Sequence, residues 1–417
     1  MEMELDKISN LPGHAIDQIL SNLSITEAVR TSVLSSKWRY KWATLPHLAF
    51  GNQCFPVSSQ DHAIVKNKLV NIVDHVLLLH NGPIYKFKLS HRDLLGITDI
   101  DRWILHLSRR PIKEFVLEIW KGQRYKMPSS LFSCHYLIHL ELFNCLLKPP
   151  LTFKGFKSLK SLDLQHVTLA QDVFGSLISS CPLLERLTLM NFDGFTHLNI
   201  DAPNLQFFDI GGTFENISFE NTFCLTVISI GLYANVGNEK RRAYANSSSN
   251  LLNFFAHLPC IQRLEVQSYF LKYLAIGIVP RKLPTPCVHL NYLSIRMNFN
   301  DVEEVIAALC LLRSSPNLQE LEVLARPEEH ATMATFTNCW EDNHFSLPFN
   351  QLRQVKIVGI FGIKPELNFI NFLLLASPVL EIMSVKPASI NGGWELLKEL
   401  LRFRRASMQA EIIYLDP

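Results

Sequence analysis

The chain has 417 residues, of which 48% are hydrophobic and 19% are charged, so it can bury a core and lacks the composition of a disordered protein. Its formal net charge of +2 excludes the broad positive field of a general nucleic-acid-binding protein. The length predicts two or three domains.

The N-terminal residues 1–7 are acidic and contain no apolar stretch, so we expect no signal peptide. The longest apolar run near the C-terminal end, residues 372–376, is far shorter than the roughly 20 residues that a membrane span requires. The nine cysteines are loosely spaced, and no two form a Cys-x-x-Cys pair, which favours reduced cysteines over a disulfide framework or a zinc site. We therefore expect a protein of the cytoplasm and/or the nucleus.

Residues 6–50 predict a small unit of three helices. The first helix follows Pro12 and carries an apolar stripe, Ile16, Ile19, Leu20 and Leu23. Residues 24–27 match the Ser-x-x-Glu capping box at the start of a second helix, which carries Val29, Val33 and Leu34. Trp38 and Trp42 lie one turn apart on a predicted third helix. So small a core indicates a unit that a partner stabilises.

From residue 84 onward, twelve segments follow the template apolar-x-x-apolar-x-apolar. They begin at Ile84, the last begins at Leu380, and they recur about every 27 residues on average, inside the roughly 20–29-residue range of leucine-rich repeats. The last two apolar positions of the segments are Phe87/Leu89, Phe115/Leu117, Leu140/Leu142, Leu162/Leu164, Leu187/Leu189, Phe208/Ile210, Ile228/Ile230, Leu264/Val266, Leu293/Ile295, Leu321/Val323, Val355/Ile357 and Met383/Val385. A single match would mean little, but a dozen in near-register indicate a repeat protein.

Each template predicts a short strand with one buried face, because its last two apolar residues alternate with a polar one. Helical patterns lie between the strands, as in residues 172–180, 301–313 and 369–376, and each is followed by a Ser-Pro or Cys-Pro pair that ends the helix. The predicted fold class is α/β: a leucine-rich-repeat solenoid with parallel strands on its concave face and helices outside, preceded by the three-helix unit. We predict boundaries at 6–50 for the helical unit, 51–345 for the solenoid and 346–417 for C-terminal repeats and a cap. Two insertions, residues 235–250 and 326–347, are predicted to be surface loops.

The polar positions of the strands are candidates for a target-binding surface, since the concave faces of solenoids commonly bind partners. These candidates are Glu141, Asp163, Glu185, Arg186, Arg263, Glu265 and Arg296. The alternative for each residue is that it binds no partner and is polar only because it lies on a solvent-exposed strand face.

The order of residues 6–12, 19–23, 27–35 and 38–42 resembles the F-box of plant proteins. The rest of the chain resembles the leucine-rich-repeat region of the plant F-box/FBD family, and residues 366–367, 374–381 and 400–407 resemble its FBD segment. The resemblance implies a non-catalytic, substrate-recognition subunit of an SCF-type (Skp–cullin–F-box) ubiquitin ligase. The F-box would dock on a Skp-type adaptor, and through it on the cullin and RING subunits, while the repeats bind an unknown target protein.

The resemblance also implies residue roles. Leu11 and Pro12 match the family's adaptor-contacting Leu-Pro. Six further residues match its apolar interface and core positions, which the sequence does not separate: Ile16, Ile19, Leu20, Val29, Val33 and Trp38. The chain has Ser24-Ile25-Thr26 where the family often has Pro-x-Lys, and Gly13 where an acidic residue is common. These departures leave open a leucine-rich-repeat interaction scaffold without ligase function.

A second alternative is nucleic-acid binding, because residues 37–42 mix basic and aromatic side chains and residues 240–242 add positive charge. The shared helix face of Trp38 and Trp42 favours burial instead, so we expect neither nucleic acid nor a membrane as a partner. The sequence contains no nucleotide-binding, zinc-protease or hydrolase motif. We expect no catalytic residue, no metal and no cofactor.

Overall fold

The computed structural model describes residues 11–52, 62–95, 98–233, 249–327, 349–389 and 393–417. The chain forms two compact units, Met1–Thr196 and His197–Pro417. Residues 6–10 of the predicted helical unit lie outside the described residues, as does most of both predicted insertions.

The helical unit begins with α1 (Gly13–Ser21) and α2 (Ile25–Arg30), followed by 3₁₀ turns at Thr31–Val33 and Lys41–Thr44. The predicted capping box is confirmed: the Glu27 amide donates to the Ser24 hydroxyl, and the Ser24 amide donates to the Glu27 carboxylate at 3.0 Å. The predicted third α-helix is wrong. Tyr40 has a φ of 64°, a left-handed conformation that no right-handed helix can contain, so the chain turns there instead. Trp38 and Trp42 are nevertheless both buried.

The first unit contains six parallel strands that pair in the order β1 (His47–Gly51), β2 (Lys86–Leu95), β3 (Glu114–Lys121), β5 (His139–Phe143), β7 (Ser161–Gln165) and β8 (Arg186–Met190). A short ladder joins β4 (Tyr125–Lys126) to β6 (Cys145–Leu146). The helices after the helical unit are α3 (His62–Leu79), α4 (Asp99–Leu107) and α5 (Gln171–Ser179).

The second unit repeats this plan with eight parallel strands. Their order is β10 (Phe207–Gly212), β12 (Val227–Leu232), β13 (Arg263–Ser268), β14 (Tyr292–Met297), β15 (Glu320–Ala325), β16 (Gln354–Ile360), β17 (Ile382–Pro387) and β18 (Glu411–Tyr414). A separate parallel pair is formed by β9 (His197–Asp201) and β11 (Asn216–Glu220). The helices are α6 (Asn250–Phe255), α7 (Phe270–Leu274), α8 (Val302–Arg313), α9 (Lys364–Ala376) and α10 (Gly393–Arg402).

The predicted repeat pattern is confirmed, since all twelve templates fall on parallel strands. Phe115, Leu140, Leu162 and Leu187 are aligned across β3, β5, β7 and β8, and all four are buried. Within each unit, the templates therefore place their apolar pairs in a shared core and their polar positions on the opposite face of the strands. Strands β1 and β18 were not predicted. Leu45, Leu48 and Phe50 at β1 do fit the template but were overlooked, whereas β18 has Gln409 where the template has its first apolar residue.

Candidate protein-interaction surfaces

The structure separates the eight predicted adaptor-binding residues into three groups: buried, exposed and partly buried. Ile16, Leu20 and Trp38 are buried and form the core of the helical unit, so they have almost no surface to offer a partner. Pro12, Ile19 and Val33 are exposed, and Leu11 and Val29 are partly buried.

Exposed apolar side chains cluster in sequence around α1 and the turn after α2. Ile19 is 40% exposed, Val33 is 87% exposed and Leu34 is 48% exposed. We call Leu11, Pro12, Ile19, Val33 and Leu34 the N-terminal apolar surface. Leu34 was not among the predicted site residues, although the sequence places it on the same helical pattern as Val29 and Val33. Such exposure in a very small unit is typical of a surface that a partner covers.

Local polar contacts hold the segment that precedes α1. The Lys37 ammonium donates to the Leu11 carbonyl, which ties this segment to the turns after α2. Lys41 Nζ lies 3.8 Å from Asp17 Oδ1, an exposed pair that contributes little energy. Pro12 follows this segment and forms the N-cap of α1.

The outward strand positions of the first unit form a polar face. Glu141 on β5 and Asp163 on β7 lie side by side in register, and Arg186 is exposed at the start of β8. Glu185 precedes β8 and pairs with Lys160 at 2.7 Å, so it lies at the rim of this face.

Carboxylates of this face are held ionised by neighbouring cations and by hydrogen bonds. Lys86 Nζ lies 2.7 Å from Glu114, and this hydrogen bond keeps the pKa of Glu114 below its usual range. The His139 ring lies 3.6 Å from Glu141 and lowers the pKa of that carboxyl in the same way. Lys88 lies 3.2 Å from Glu118. At neutral pH the face therefore carries fixed negative charges beside its lysines.

An aromatic strip crosses the same face, and sequence reasoning missed it. The rings of Trp120 and Phe143 are 4.5 Å apart, and the Phe143 and His166 rings are 4.9 Å apart in an edge-on arrangement. Trp120 ends the outward series of β3, Phe143 ends that of β5, and His166 follows β7. A sign of this strip is nevertheless visible in the sequence. Trp120 and Phe143 are large aromatic residues that lie outside the three apolar positions of their templates.

The second unit presents a hydrogen-bonded network on its strand face. Arg263 on β13 stacks its guanidinium 3.5 Å from the ring centre of Tyr292, and its Nε donates to Glu265 at 3.1 Å. The Tyr292 hydroxyl donates to Glu322 at 3.0 Å, and burial together with this bond raises the pKa of Tyr292 to about 12. Arg296, the last of the seven predicted target-binding residues, is exposed on β14.

Within the described residues, no group of three or more His, Cys, Asp or Glu side chains is placed to hold a metal ion. The seven described cysteines are free thiols, and five of them are buried, where burial raises the pKa of Cys134 to about 12. Among the described helices, none combines the length and apolar character needed to cross a bilayer.

Comparison with known proteins identifies both parts of the chain. Residues 8–48 match the F-box domain, and residues 100–323 match the leucine-rich repeats of the model described as FBD-associated F-box protein At5g56370, LRR repeats.

Whole-chain relatives agree with these matches. The chain is 42% identical to the F-box/FBD/LRR-repeat protein At1g13570 of Arabidopsis thaliana, across 99% of both chains. It is 26% identical to the probable FBD-associated F-box protein At1g32375 of the same plant, across 96% of this chain and 98% of the relative. The protein therefore belongs to the F-box/FBD/leucine-rich-repeat family.

Proposed function

We propose that this protein is a substrate receptor of an SCF-type ubiquitin ligase, with the N-terminal apolar surface docking on a Skp-type adaptor and the strand faces binding the target protein. The observation that carries the proposal is the exposure of Pro12, Ile19, Val33 and Leu34 on a unit that matches the F-box domain. Exposed apolar side chains on so small a unit are stabilised when a partner removes them from water.

The buried residues of the helical unit take a supporting role in this proposal. Ile16, Leu20 and Trp38 hold α1 and α2 in position, and the exposed residues make the contact. The exposure of Val33 and Ile19 supports this division and makes them the residues to test first.

The repeat region supplies the second half of the function. Its outward positions carry charged, amide and aromatic side chains on rigid parallel strands, which suits recognition of a protein surface. Ubiquitin transfer requires no catalytic residue in such a receptor, because holding the target near the conjugating enzyme raises the effective concentration of its lysines. A location in the cytoplasm and/or the nucleus is part of the proposal.

The test is co-purification of the full chain with a Skp-type adaptor. Val33→Asp together with Ile19→Asp should weaken adaptor binding by about tenfold or more, because both substitutions place charge in the interface. The matched control is Leu151→Asp, since Leu151 is fully exposed elsewhere in the first unit and should leave adaptor binding intact. Circular dichroism checks that both variants keep their fold.

Two results would contradict the proposal. A wild-type chain that folds but binds no Skp-type adaptor would favour the interaction scaffold. Equal adaptor binding by wild type and the double variant would show that the interface lies elsewhere. Loss of binding in the Leu11→Ala, Pro12→Ala variant would extend the interface to the start of α1.

A further inference from the structure

The aromatic strip of the first unit differs from an ordinary solvated strand face. Half of the Trp120 side chain is exposed, although large apolar rings are costly to leave in water. Its indole N–H donates to Glu118 at 3.1 Å, so the polar edge of the ring has a partner. Phe143 packs against the indole at 4.5 Å, and the exposed part of the ring remains for contact. Among the described residues, no cation of the chain stacks on Trp120 or Phe143.

Carboxylates surround this strip at fixed positions. Glu118 lies beside Phe143 in register on β3, roughly 4.8 Å away in backbone spacing. Glu141 lies two residues before Phe143 on the same strand, and Asp163 is the register partner of Glu141 on β7. Glu118 is also held by the Ser90 hydroxyl, which donates at 2.6 Å. Aromatic faces and negative charge therefore occur together on rigid strands.

The second unit shows which group this chain itself places on such a combination. There Arg263 stacks on Tyr292 at 3.5 Å while donating to Glu265 at 3.1 Å. A guanidinium suits both contacts, because it is planar, weakly hydrated and able to pair with a carboxylate while stacked on a ring. Lys88 already lies 3.2 Å from Glu118, so a ligand guanidinium would share that carboxylate with Lys88.

We propose that Trp120 and Phe143, flanked by Glu118, Glu141 and Asp163, form a docking site for an arginine side chain of the target protein. This inference rests on the proposed role of the strand faces in target binding, and it adds the chemical class of the residue that is recognised. The arginine would stack on the exposed indole and pair with one of the neighbouring carboxylates, those of Glu118, Glu141 and Asp163. The proposed site predicts that target proteins present an arginine side chain in an accessible segment.

The first test uses a small probe and the full wild-type chain. N-acetyl-arginine N-methylamide is titrated while the indole N–H resonance of Trp120 is followed by NMR, with its assignment taken from Trp120→Phe. We expect a saturable shift of this resonance, and a response about fivefold weaker or less to the citrulline analogue, which has the same shape without the charge. The Trp394 resonance serves as an internal control, since Trp394 is exposed on α10.

The second test identifies preferred ligands. Randomised 12-residue peptides are selected on the wild-type chain, on the variant Trp120→Leu, Phe143→Leu and on the control Trp394→Leu. Arginine should be enriched on wild type and on the control, and the enrichment should be lost on the double variant, whose leucines keep the site apolar but remove the ring faces.

The inference is overturned by an absent or non-saturable Trp120 shift, by an equal response to citrulline, or by arginine enrichment that survives the double substitution. Its failure is distinguishable from failure of the ligase proposal. Adaptor co-purification reports on residues 11–34, whereas both arginine tests use the chain without an adaptor. Arginine binding without adaptor binding would uphold this site and reject the ligase role.

Discussion

Gly155 occupies a backbone position that other residues cannot share. Its φ is +91°, and a Cβ atom there would overlap the carbonyl oxygen of Ser180, at the end of α5. The glycine thus lets the loop before β7 pass directly against the end of the helix. Sequence inspection alone gives this glycine no special weight.

Gly155→Ala should lower the free energy of unfolding by about 3 kcal/mol, since it combines left-handed strain with a backbone overlap. Gly175→Ala is the matched control, because Gly175 lies inside α5 with nothing within 4 Å of the added methyl group. The control should be neutral or stabilising by up to about 1 kcal/mol. Urea denaturation of both variants measures the difference, and similar midpoints would disprove this role of Gly155.

Glu322 on β15 links three residues of the second unit's strand face. Lys356 lies 2.7 Å from it, the Tyr292 hydroxyl donates at 3.0 Å, and the Ser294 hydroxyl donates at 3.5 Å. Burial pushes the pKa of Glu322 upward, but the hydrogen bonds from Lys356 and Tyr292 outweigh it, so the pKa lies below its usual range. The ionised carboxylate therefore stabilises the folded state.

This depressed pKa predicts a pH-dependent effect on stability. The contribution of Glu322 is fully present above the unfolded-state pKa of about 4.5 and is lost as the pH falls through the lower folded-state pKa. Glu322→Gln should cost about 1 kcal/mol at pH 7, and the gap to wild type should shrink below pH 4.5. Urea denaturation at pH 7 and at a pH below 4.5 measures the stability gap between wild type and Glu322→Gln. Glu320→Gln, at an exposed position, is the control. A gap that is constant with pH would contradict the assignment.

At the scale of secondary-structure elements, several strands end at, or directly before, a residue with a left-handed backbone conformation. Asn144, His166, Asn191 and Asn221 directly follow β5, β7, β8 and β11, and Ser268 is the last residue of β13; all five have a φ between 51° and 59°. Asparagine and histidine tolerate this left-handed conformation better than most residues. The turn directs the chain away from the ladder at the end of the strand, and at β7 it brings His166 against Phe143.

The alternation of inward and outward positions gives a direct test of the repeat register. Leu187→Asp places an unpaired charge in the core of β8 and should destabilise the first unit by several kcal/mol, roughly 3–5. The neighbouring Thr188→Lys also introduces a charge, but it points to the opposite face beside Asp163 and should change stability by about 0.5 kcal/mol or less. Thermal unfolding followed by circular dichroism compares them. Equal melting temperatures would contradict the assigned faces.

At the scale of the whole molecule, the long parallel strands of each unit pair in the order in which their repeats follow along the chain, so stability is spread over many neighbouring repeats. Charge is spread similarly: 40 basic and 38 acidic residues leave a net charge of +2. Many strand-face charges are also paired locally, as with Lys86 and Glu114. Such a chain favours specific contacts over general attraction to polyanions.

The charge balance predicts weak binding to heparin and to DNA. The full chain should elute from a heparin column at low salt, and its DNA affinity should show no steep dependence on salt concentration. A basic DNA-binding domain on the same column provides the reference. A steep salt slope for this chain would revive the nucleic-acid alternative and would direct attention to residues 37–42 and 240–242.

The sequence by itself determined the repeat architecture, because an apolar template recurring a dozen times can bury its residues only by stacking. Leu140 and Leu142 were assigned to the core on that pattern alone, and the capping box at Ser24 was equally local. Only the tertiary structure decided which members of one apolar stripe are exposed: Ile16 is buried and Ile19 is not, although both fit the same helix. It also brought Trp120 and Phe143 together. The aligned templates place Phe143 beside Glu118 and not beside Trp120, so the contact between the two rings depends on how their side chains turn on the folded strands.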